Sequence, residues 1–276
     1  MLRVFASAKV NLWLHIADRR PDGFHEIETL MVPIGLRDEI QVERAGTTGL
    51  LCSDPSVPDG EENLAIRAVR ILEAETGRSL PVQITLQKNI PAGAGLAGGS
   101  SDAVAVLKAV NSLYELNLDE SRLIAAAARL GSDTAFFVRG APALCRGRGE
   151  ILAGAGDLRP LRDRWLLLLK PPFGVPTPWA YSRWAALRPP AGESQSLGPF
   201  TLRNDLETPV FEKYTALPVM KQWLLAQPGT EAALMSGSGS TLFAILPSEE
   251  TGWELEKRAR AFLGTPFWTC LTRFQI

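Results

Sequence analysis

Pro91-Ala92-Gly93-Ala94-Gly95-Leu96-Ala97-Gly98-Gly99-Ser100-Ser101 is the stretch of sequence that decides the fold of this chain. It follows a predicted strand, Val82 to Leu86, and precedes a predicted helix, Asp102 to Leu113, whose apolar residues recur at helical spacing. Glycines let a backbone approach a ligand closely, and the free N–H groups and dipole of a helix start both favour an anion. The stretch therefore predicts a phosphate-binding loop, which we call the glycine-serine loop.

Two familiar nucleotide-binding patterns also occur in this loop, and neither fits its surroundings. Gly93, Gly95 and Gly98 satisfy the dinucleotide fingerprint G-x-G-x-x-G. That fingerprint requires a strand-helix-strand unit with an acidic residue about 20 residues onward, whereas here a second helix follows. The spacing also matches the Walker A pattern, except that Gly99 stands at its lysine position. A flexible hinge or a tight packing point is the alternative, which the paired serines disfavour. A phosphate site here needs its catalytic cation from elsewhere in the chain.

The composition is that of an ordinary globular enzyme, and the length of the chain predicts two domains. The chain has 276 residues, of which 46% are hydrophobic and 21% are charged, and a domain typically takes about 100 to 200 residues. Lys and Arg together number 29 against 30 Asp and Glu. This balance supplies no basic field for nucleic acid, so we expect no nucleic-acid partner.

Cysteine, histidine and hydropathy patterns argue against several other classes of protein. Cys52, Cys145 and Cys270 are scattered, and there are two histidines, so we expect neither disulfides nor a dedicated zinc site. Any metal should arrive with a substrate. No stretch approaches the roughly 20 apolar residues of a membrane span, and no long apolar segment follows Met1. We therefore expect a cytoplasmic protein without a membrane partner.

The amino-terminal residues predict a hairpin of two strands. Val4 to Ile16 alternates in polarity, which would place Lys9, Asn11, Trp13 and His15 on one face. A Pro-Asp-Gly turn and a second apolar strand follow directly. The first strand therefore has one chemically unusual face.

The remainder of the chain predicts mixed helices and strands, with a domain boundary near Ala153, where the sequence becomes rich in proline. This boundary divides the chain into residues 1–153 and 154–276. The other predicted elements are helices Asn63 to Thr76 and Glu120 to Leu130, a surface loop Pro189 to Pro199, and strands Ile27 to Ile34, Trp165 to Leu169, Thr241 to Leu246 and Phe267 to Phe274.

Four further motifs accompany the glycine-serine loop along the chain. They are Ala6 to Leu12 (ASAKVNL), Asp22 to His25 (DGFH), Gly131 to Asp133 (GSD) and Ser236 to Ser240 (SGSGS). The loop resembles the central motif of the GHMP kinases, the superfamily of galactokinase, homoserine kinase, mevalonate kinase and phosphomevalonate kinase, and the other motifs stand in that superfamily's order. The Lys-x-Asn strand combined with Asp-Gly-Phe-His resembles the branch whose substrate carries a cytidine diphosphate.

The resemblance implies an α+β fold of two domains with a site in the cleft between them. The N-terminal domain would be a nucleotide-binding domain of the ribosomal-protein-S5-domain-2-like type, and the C-terminal domain would be ferredoxin-like. ATP would be the phosphoryl donor, with Mg²⁺ bound to the nucleotide and its phosphates held by residues 91–101. The acceptor would be a small cytidyl molecule, 4-diphosphocytidyl-2-C-methyl-D-erythritol, phosphorylated on its 2-hydroxyl in the non-mevalonate pathway to isoprenoid precursors. We expect a monomer or a weak homodimer, and no metal held by protein ligands alone.

The same resemblance identifies a catalytic pair. Asp133 would be the general base that takes the proton of the acceptor hydroxyl, and Lys9 would keep that carboxylate ionised and polarise the nucleophile. Asn11, two residues further along the strand, would bind substrate or orient Lys9. The alternatives are a solvated lysine on a strand face and an aspartate that caps the helix after Gly131.

Two segments carry the implied cytidine contacts. Phe24 would stack on the base, at a position where the family usually has tyrosine, and His25 would read the polar edge of the base. Thr177 and Tyr181 match a further cytidine-side segment, for which a simple proline-rich turn is the alternative.

Other functions stay open on the sequence alone. A related kinase could phosphorylate mevalonate or homoserine, and a protein of the same fold could bind nucleotide without turnover. Neither rival substrate contains a base, so cytosine-dependent activity separates them from the implied one.

Ser236 to Ser240 would close over the site as a second glycine loop, or would form a flexible turn. Two positions depart from the family's usual sequence. Ala97 replaces a frequent glycine, and Thr134-Ala135 follows Asp133 where Val-Pro is common. Neither change removes a reacting group.

Overall fold

The computed structural model of the chain describes residues 1–264 and 266–276. Within these ranges twelve strands and eight α-helices form two sheets and their covering helices. The strands are β1 (Leu2–Arg19), β2 (His25–Arg44), β3 (Gly49–Cys52), β4 (Val82–Gln87), β5 (Ala143–Gly147), β6 (Ile151–Gly154), β7 (Trp165–Lys170), β8 (Gln195–Leu197), β9 (Phe200–Asn204), β10 (Ala232–Met235), β11 (Leu242–Leu246) and β12 (Trp268–Arg273). The helices are α1 (Leu64–Thr76), α2 (Gly98–Leu113), α3 (Glu120–Ala128), α4 (Thr134–Arg139), α5 (Thr177–Leu187), α6 (Glu207–Lys213), α7 (Ala216–Leu225) and α8 (Glu249–Leu263).

The first sheet has eight strands and is built on the long hairpin of β1 and β2. Its order is β3-β4-β2-β1-β9-β8, with β5 and β6 attached beside β2. Strand β9 runs parallel to β1 and pairs Arg203 with Trp13. Helices α1 and α2 pack on this sheet, and Ile40, Val42 and Leu107 are buried in their common core. The sheet therefore carries the glycine-serine loop between β4 and α2.

The second sheet has four antiparallel strands in the order β10-β11-β7-β12. Apart from β8 and β9, which follow α5 and join the first sheet, the chain order of strand, helices, two strands, helix and strand is the arrangement of a ferredoxin-like domain. Strand β7 is buried on both faces, because Leu166 and Leu168 belong to the core shared with the first sheet, whereas Leu167 and Leu169 face the helices. The predicted α+β fold is confirmed.

An apolar layer joins the two sheets. Val10 and Leu12 of β1 lie in one buried cluster with Leu166 of β7 and Phe243 of β11. Each of these four side chains is fully buried, so the two halves of the molecule share a core. Across the described ranges, no helix combines the length and the apolar character that a membrane span requires.

A β-bulge in β1 changes which of its side chains share a face. Between Asn11 and Trp13 the register with β2 shifts by one residue, and the alternation of side chains shifts with it. Lys9 and Asn11 therefore share their face with Leu14, while Trp13 and His15 lie on the opposite one. The prediction that Lys9, Asn11, Trp13 and His15 share one face is wrong, because alternation in sequence does not reveal an extra residue in one strand.

Several predicted bounds also change. Helix α2 begins at Gly98 rather than at Asp102, since the first turn of a helix tolerates residues of low propensity whose N–H groups need no intrahelical partner. Part of the predicted surface loop 189–199 is strand β8, which pairs with β9. Ala153 lies inside β6, and β9 returns from the second half to pair with β1. The division of the chain at residue 153 stays a prediction.

Candidate active site

Residues from both halves of the chain line a cavity of about 1060 Å³. All the site residues expected from the sequence line it except Leu96 and Ser101. Leu96 lies in the apolar core and Ser101 is buried within α2, so neither side chain faces a ligand. The expected residues that line the cavity are Lys9, Asn11, Phe24, His25, Pro91, Ala92, Gly93, Ala94, Gly95, Ala97, Gly98, Gly99, Ser100, Asp133, Thr177 and Tyr181.

The glycine-serine loop presents the start of a helix to this cavity. Gly93 and Gly95 have φ values of +61° and +74°, in the left-handed region that favours glycine. Helix α2 then begins at Gly98, and the first N–H groups of a helix have no partner within it. Such N–H groups and the helix dipole together attract an anion. The geometry of the loop therefore suits a phosphate group.

The second glycine loop, Ser236 to Ser240, lies directly against the first. Ser236 Oγ donates a hydrogen bond to the Gly95 carbonyl at 3.0 Å, and the Thr241 N–H donates to the Ala94 carbonyl at 3.2 Å. A Cβ atom on Gly95 would lie 2.1 Å from the Ser236 carbonyl oxygen. Glycine is therefore required at this contact, which joins the two halves of the chain at the cavity wall.

Lys9 is held in the wall of the cavity by oxygen atoms. Its side chain is 4% exposed and its Nζ donates to Asn11 Oδ1 at 2.7 Å and to the Gly95 carbonyl at 2.9 Å, with Asp133 Oδ2 at 3.8 Å. Asn11 Nδ2 in turn donates to Thr29 Oγ1 at 2.8 Å, which fixes the orientation of the amide. Burial lowers the pKa of Lys9, although the charge of Asp133 opposes this shift. Lys9 is therefore buried and held in place by hydrogen bonds, and it is not a solvated lysine.

The Asp133 carboxylate lines the cavity and does not cap the helix that follows it. Asp133 directly precedes α4, yet among the residues described here no N–H group of that helix donates to its side chain. The side chain is 32% exposed, so it is open to a ligand. Behind it lies Gly149 of the β5–β6 turn, where a Cβ atom would be 3.6 Å from Asp133 Oδ1 and 3.1 Å from the Ser132 carbonyl. The alternative of a helix cap is wrong.

Aromatic rings gather around His25 at the tip of the β1–β2 hairpin. The His25 and Tyr181 rings are stacked with centroids 5.7 Å apart, and Trp184 meets His25 edge-on at 5.7 Å. Phe24 stands at the rim with 49% of its surface exposed. Burial lowers the pKa of His25, with a further contribution from Arg19, so its imidazole is neutral at neutral pH. Its Nε2 atom is buried and has no hydrogen-bond partner in the described part of the chain.

Helix α5 supplies the other expected contacts of this pocket. Thr177 begins the helix and Tyr181 follows one turn later on the same face. Thr177 Oγ1 lies 2.8 Å from Ser238 Oγ of the second glycine loop. Burial raises the pKa of the Tyr181 phenol, and the charge of Asp133 adds to this shift. Thr177 and Tyr181 therefore lie on a helix that lines the cavity and directly follows the proline-rich turn, and their contact with a substrate stays a prediction.

Lys88 is a site residue that the sequence reading missed. Its Nζ lies between two buried carboxylates, donating to Asp102 Oδ2 at 2.8 Å and more closely to Asp38. Burial lowers the pKa of Lys88, but the charges of Asp102 and Asp38 outweigh burial and raise that pKa overall. Burial also raises the pKa of Asp102 to about 8, and the adjacent Asp38 acts in the same direction. Lys88 directly follows β4, the strand that leads into the glycine-serine loop. That position was the signal in the sequence that could have identified it.

Comparisons with known proteins match both halves of the chain. The model of the GHMP kinases N terminal domain matches residues 63–141, and that of the GHMP kinases C terminal domain matches residues 180–264. A 4-diphosphocytidyl-2-C-methyl-D-erythritol kinase of Methylacidiphilum infernorum is 41% identical over 273 residues, covering 96% of this chain and 93% of that protein. This chain belongs to the 4-diphosphocytidyl-2-C-methyl-D-erythritol kinase family. The kinase of the same name from Geobacter metallireducens is 40% identical and covers 90% of both chains.

Solved structures agree with membership of this kinase family. A crystal structure of a 4-(cytidine 5'-diphospho)-2C-methyl-D-erythritol kinase superposes with a TM-score of 0.78 at 34% identity and covers 99% of both chains. A homoserine kinase from Cytophaga hutchinsonii superposes with a TM-score of 0.69 at 16% identity, which shows a shared fold alone. The chain is therefore an ATP-dependent small-molecule kinase with the N- and C-terminal domains of the GHMP fold, and the family expectation is confirmed.

Proposed function

We propose that this kinase transfers the γ-phosphate of ATP to the 2-hydroxyl of 4-diphosphocytidyl-2-C-methyl-D-erythritol, in the cytoplasm, within the non-mevalonate pathway to isoprenoid precursors. The observation that carries the proposal is one cavity that joins a phosphate-binding helix start, the Lys9–Asp133 pair and an aromatic pocket around the unpartnered Nε2 of His25. A kinase for mevalonate or homoserine does not need an aromatic pocket for a base, because neither substrate contains a base.

Asp133 is the general base of the proposed reaction. Its carboxylate accepts the proton of the 2-hydroxyl while the hydroxyl oxygen attacks the γ-phosphorus, and the bond to the departing ADP oxygen breaks. Lys9, whose Nζ lies 3.8 Å from the Asp133 carboxylate, stabilises negative charge on the transferred group. Asn11 and Thr29 support this role by fixing the position of Lys9.

The glycine-serine loop holds the ATP phosphates through its backbone. The N–H groups at the start of α2 act on phosphate oxygens together with the helix dipole, and the contact with the second glycine loop fixes the shape of the cradle. The described residues contain no group of three His, Cys, Asp or Glu side chains that would hold a metal. The hydroxyl oxygen of Ser100 in the cavity wall would suit Mg²⁺ that arrives with the nucleotide, where the ion would neutralise phosphate charge.

The aromatic pocket binds the cytosine of the acceptor. Phe24 and Tyr181 offer ring faces for stacking, and the neutral His25 offers a ring nitrogen to the polar edge of the base. Phenylalanine preserves the stacking surface that the family usually obtains from tyrosine. Thr177 positions this pocket through its contact with Ser238.

A coupled ADP-release assay tests the proposed function. Purified enzyme with Mg²⁺ and ATP is offered the cytidyl alcohol, mevalonate or homoserine at equal concentrations, and each rate is compared with the rate without an acceptor. We expect ADP release to rise with the cytidyl alcohol alone. A rise with mevalonate or homoserine, or no rise with any acceptor, would refute the proposal and favour a related kinase or a nucleotide sensor.

A further inference from the structure

Arg148 sits at the tip of the β5–β6 hairpin, and this tip is fixed by two carboxylates. Glu26 Oε1 accepts a hydrogen bond from the Gly147 N–H at 2.9 Å, and Glu150 Oε2 accepts one from the Arg148 N–H at 2.6 Å. Gly147 and Gly149 have φ values of +73° and +123°, which glycine adopts without strain. The turn therefore presents the Arg148 side chain from a defined backbone.

The position of Arg148 lies between the two proposed ends of the acceptor site. Its Cζ atom is 4.9 Å from the centroid of the Phe24 ring, at the cytosine end. The next residue, Gly149, lies near Asp133 at the reacting end, since a Cβ atom built on it would be 3.6 Å from Asp133 Oδ1. Phe24, Arg148 and Asp133 all line the same cavity. An acceptor built from base, diphosphate and alcohol would place its diphosphate beside Arg148.

The charge of Arg148 is available to a ligand, unlike that of the two lysines of the cavity. Lys9 is held beside Asp133, and Lys88 is held by two buried aspartates. In the described part of the chain, the ion-pair partner of Arg148 is Glu150 at 3.8 Å, and the two side chains are 28% and 24% exposed. A guanidinium group presents a planar fork of N–H donors that matches phosphate oxygens. A partly exposed, loosely paired arginine is thus suited to a diphosphate.

We propose that Arg148 binds the diphosphate of the acceptor and so makes the kinase specific for a nucleoside diphosphate over the bare nucleoside. This inference rests on the proposed function and names the residue that recognises the negative charge of the substrate diphosphate. Arg19, the other arginine in the cavity wall, is exposed and acts on His25 at the base end. Arg148 is a specificity-determining residue, and it forms and breaks no covalent bond.

Calorimetric titration of the full chain with cytidine and with cytidine diphosphate tests this role. A saturating non-hydrolysable ATP analogue with Mg²⁺ fills the glycine-serine loop, so that the probes report on the acceptor site. The wild type should bind the diphosphate more tightly than cytidine. In Arg148→Ala the ratio of the two dissociation constants should fall about 10- to 100-fold, the range for losing a hydrogen bond to a charged group. Arg148→Lys should restore part of the ratio, because it keeps the charge and loses the fork.

Arg146→Ala is the matched control. Arg146 lies two residues away on β5, pairs with Glu28 at 2.9 Å and is 54% exposed outside the cavity lining, so its removal should leave the ratio unchanged. An unchanged ratio in Arg148→Ala would overturn the inference. Equal weakening of both probes would also overturn it, since Arg148 would then merely support the Phe24 ring. Because binding is measured without turnover, a failure of the proposed function would appear separately, as absent ADP release.

Discussion

Ala97 of the glycine-serine loop has a backbone conformation that suits glycine. Its φ of +57° and ψ of +32° lie in the left-handed region, directly before α2. A residue with a Cβ atom pays roughly 1 to 2 kcal/mol there. The departure from the family pattern at this position therefore stores backbone strain beside the phosphate site, although it removes no reacting group.

Replacing Ala97 by glycine should relieve this strain. We expect Ala97→Gly to raise the free energy of unfolding by about 0.5 kcal/mol, because the relief exceeds the extra entropy of glycine in the unfolded chain. Urea unfolding measures the change. Ala94 lies in the same loop without a left-handed φ and is 3% exposed, so Ala94→Gly should lower stability. A loss of stability in Ala97→Gly would contradict the assignment of strain.

The contact between the two glycine loops is the feature that places both halves of the chain around one cavity. Gly95→Ala would put a Cβ atom 2.1 Å from the Ser236 carbonyl at a φ of +74°. We expect this change to lower the free energy of unfolding by about 2 kcal/mol or more and to raise KM for ATP. Urea unfolding and initial rates measure the two effects.

Gly99→Ala provides the comparison for stability. Gly99 lies in the first turn of α2, and a Cβ atom on it would make an ordinary contact of 3.9 Å with Leu64 Cδ1 of α1. Its free energy of unfolding should change by less than about 1 kcal/mol. Equal losses in Gly95→Ala and Gly99→Ala would show that the loop contact does not carry the effect.

Helix α2 begins beside a buried charge cluster, Lys88 with Asp38 and Asp102, that makes stability depend on pH. Burial raises the pKa of Asp102 from 3.8 to about 8. The folded protein therefore binds more protons than the unfolded chain between about pH 4 and pH 8, and stability falls as pH rises through that interval. We expect a lower free energy of unfolding at pH 9 than at pH 6, and a smaller difference in Asp102→Asn.

The control for this prediction is Asp157→Asn. The hydrogen bond from Arg159 lowers the pKa of Asp157 to about 2, so this surface carboxylate stays charged from pH 6 to pH 9 and should leave the difference unchanged. Urea unfolding of all three proteins at both pH values gives the comparison. An Asp102→Asn variant with the wild-type difference would show that Asp102 does not titrate in this range.

At the scale of the whole molecule, local sequence patterns predicted most helices and strands. The arrangement of the site depends on contacts between residues far apart in the chain, which those patterns do not encode. The predicted helix Asn63 to Thr76 agrees with α1, because Asn63 caps it and Gly77 ends it in the left-handed region. The alternation of residues 4–16 predicted β1 but not its bulge. Helix periodicity likewise missed the first turn of α2, because glycine and serine carry no apolar pattern.

The catalytic roles of Lys9 and Asp133 stay predictions, and the structure shows why sequence could not choose between them and their alternatives. Lys9 is buried through contacts with residues far along the chain, such as Gly95 and Asp133, and no local pattern encodes those contacts. Arg148 was missed for the same reason, since it reaches the cavity from a hairpin turn that pairs with β2 only in the fold.

The most direct test of the central claim is product analysis by phosphorus NMR with the cytidyl alcohol, ATP and Mg²⁺. The wild type should give one new phosphomonoester, on the 2-hydroxyl. Asp133→Asn and Lys9→Ala should each form it about 10² to 10⁴ times more slowly, the usual contribution of acid–base catalysis, while both variants keep the fold of the wild type. Phosphate on another hydroxyl, or wild-type turnover in Asp133→Asn, would contradict the account.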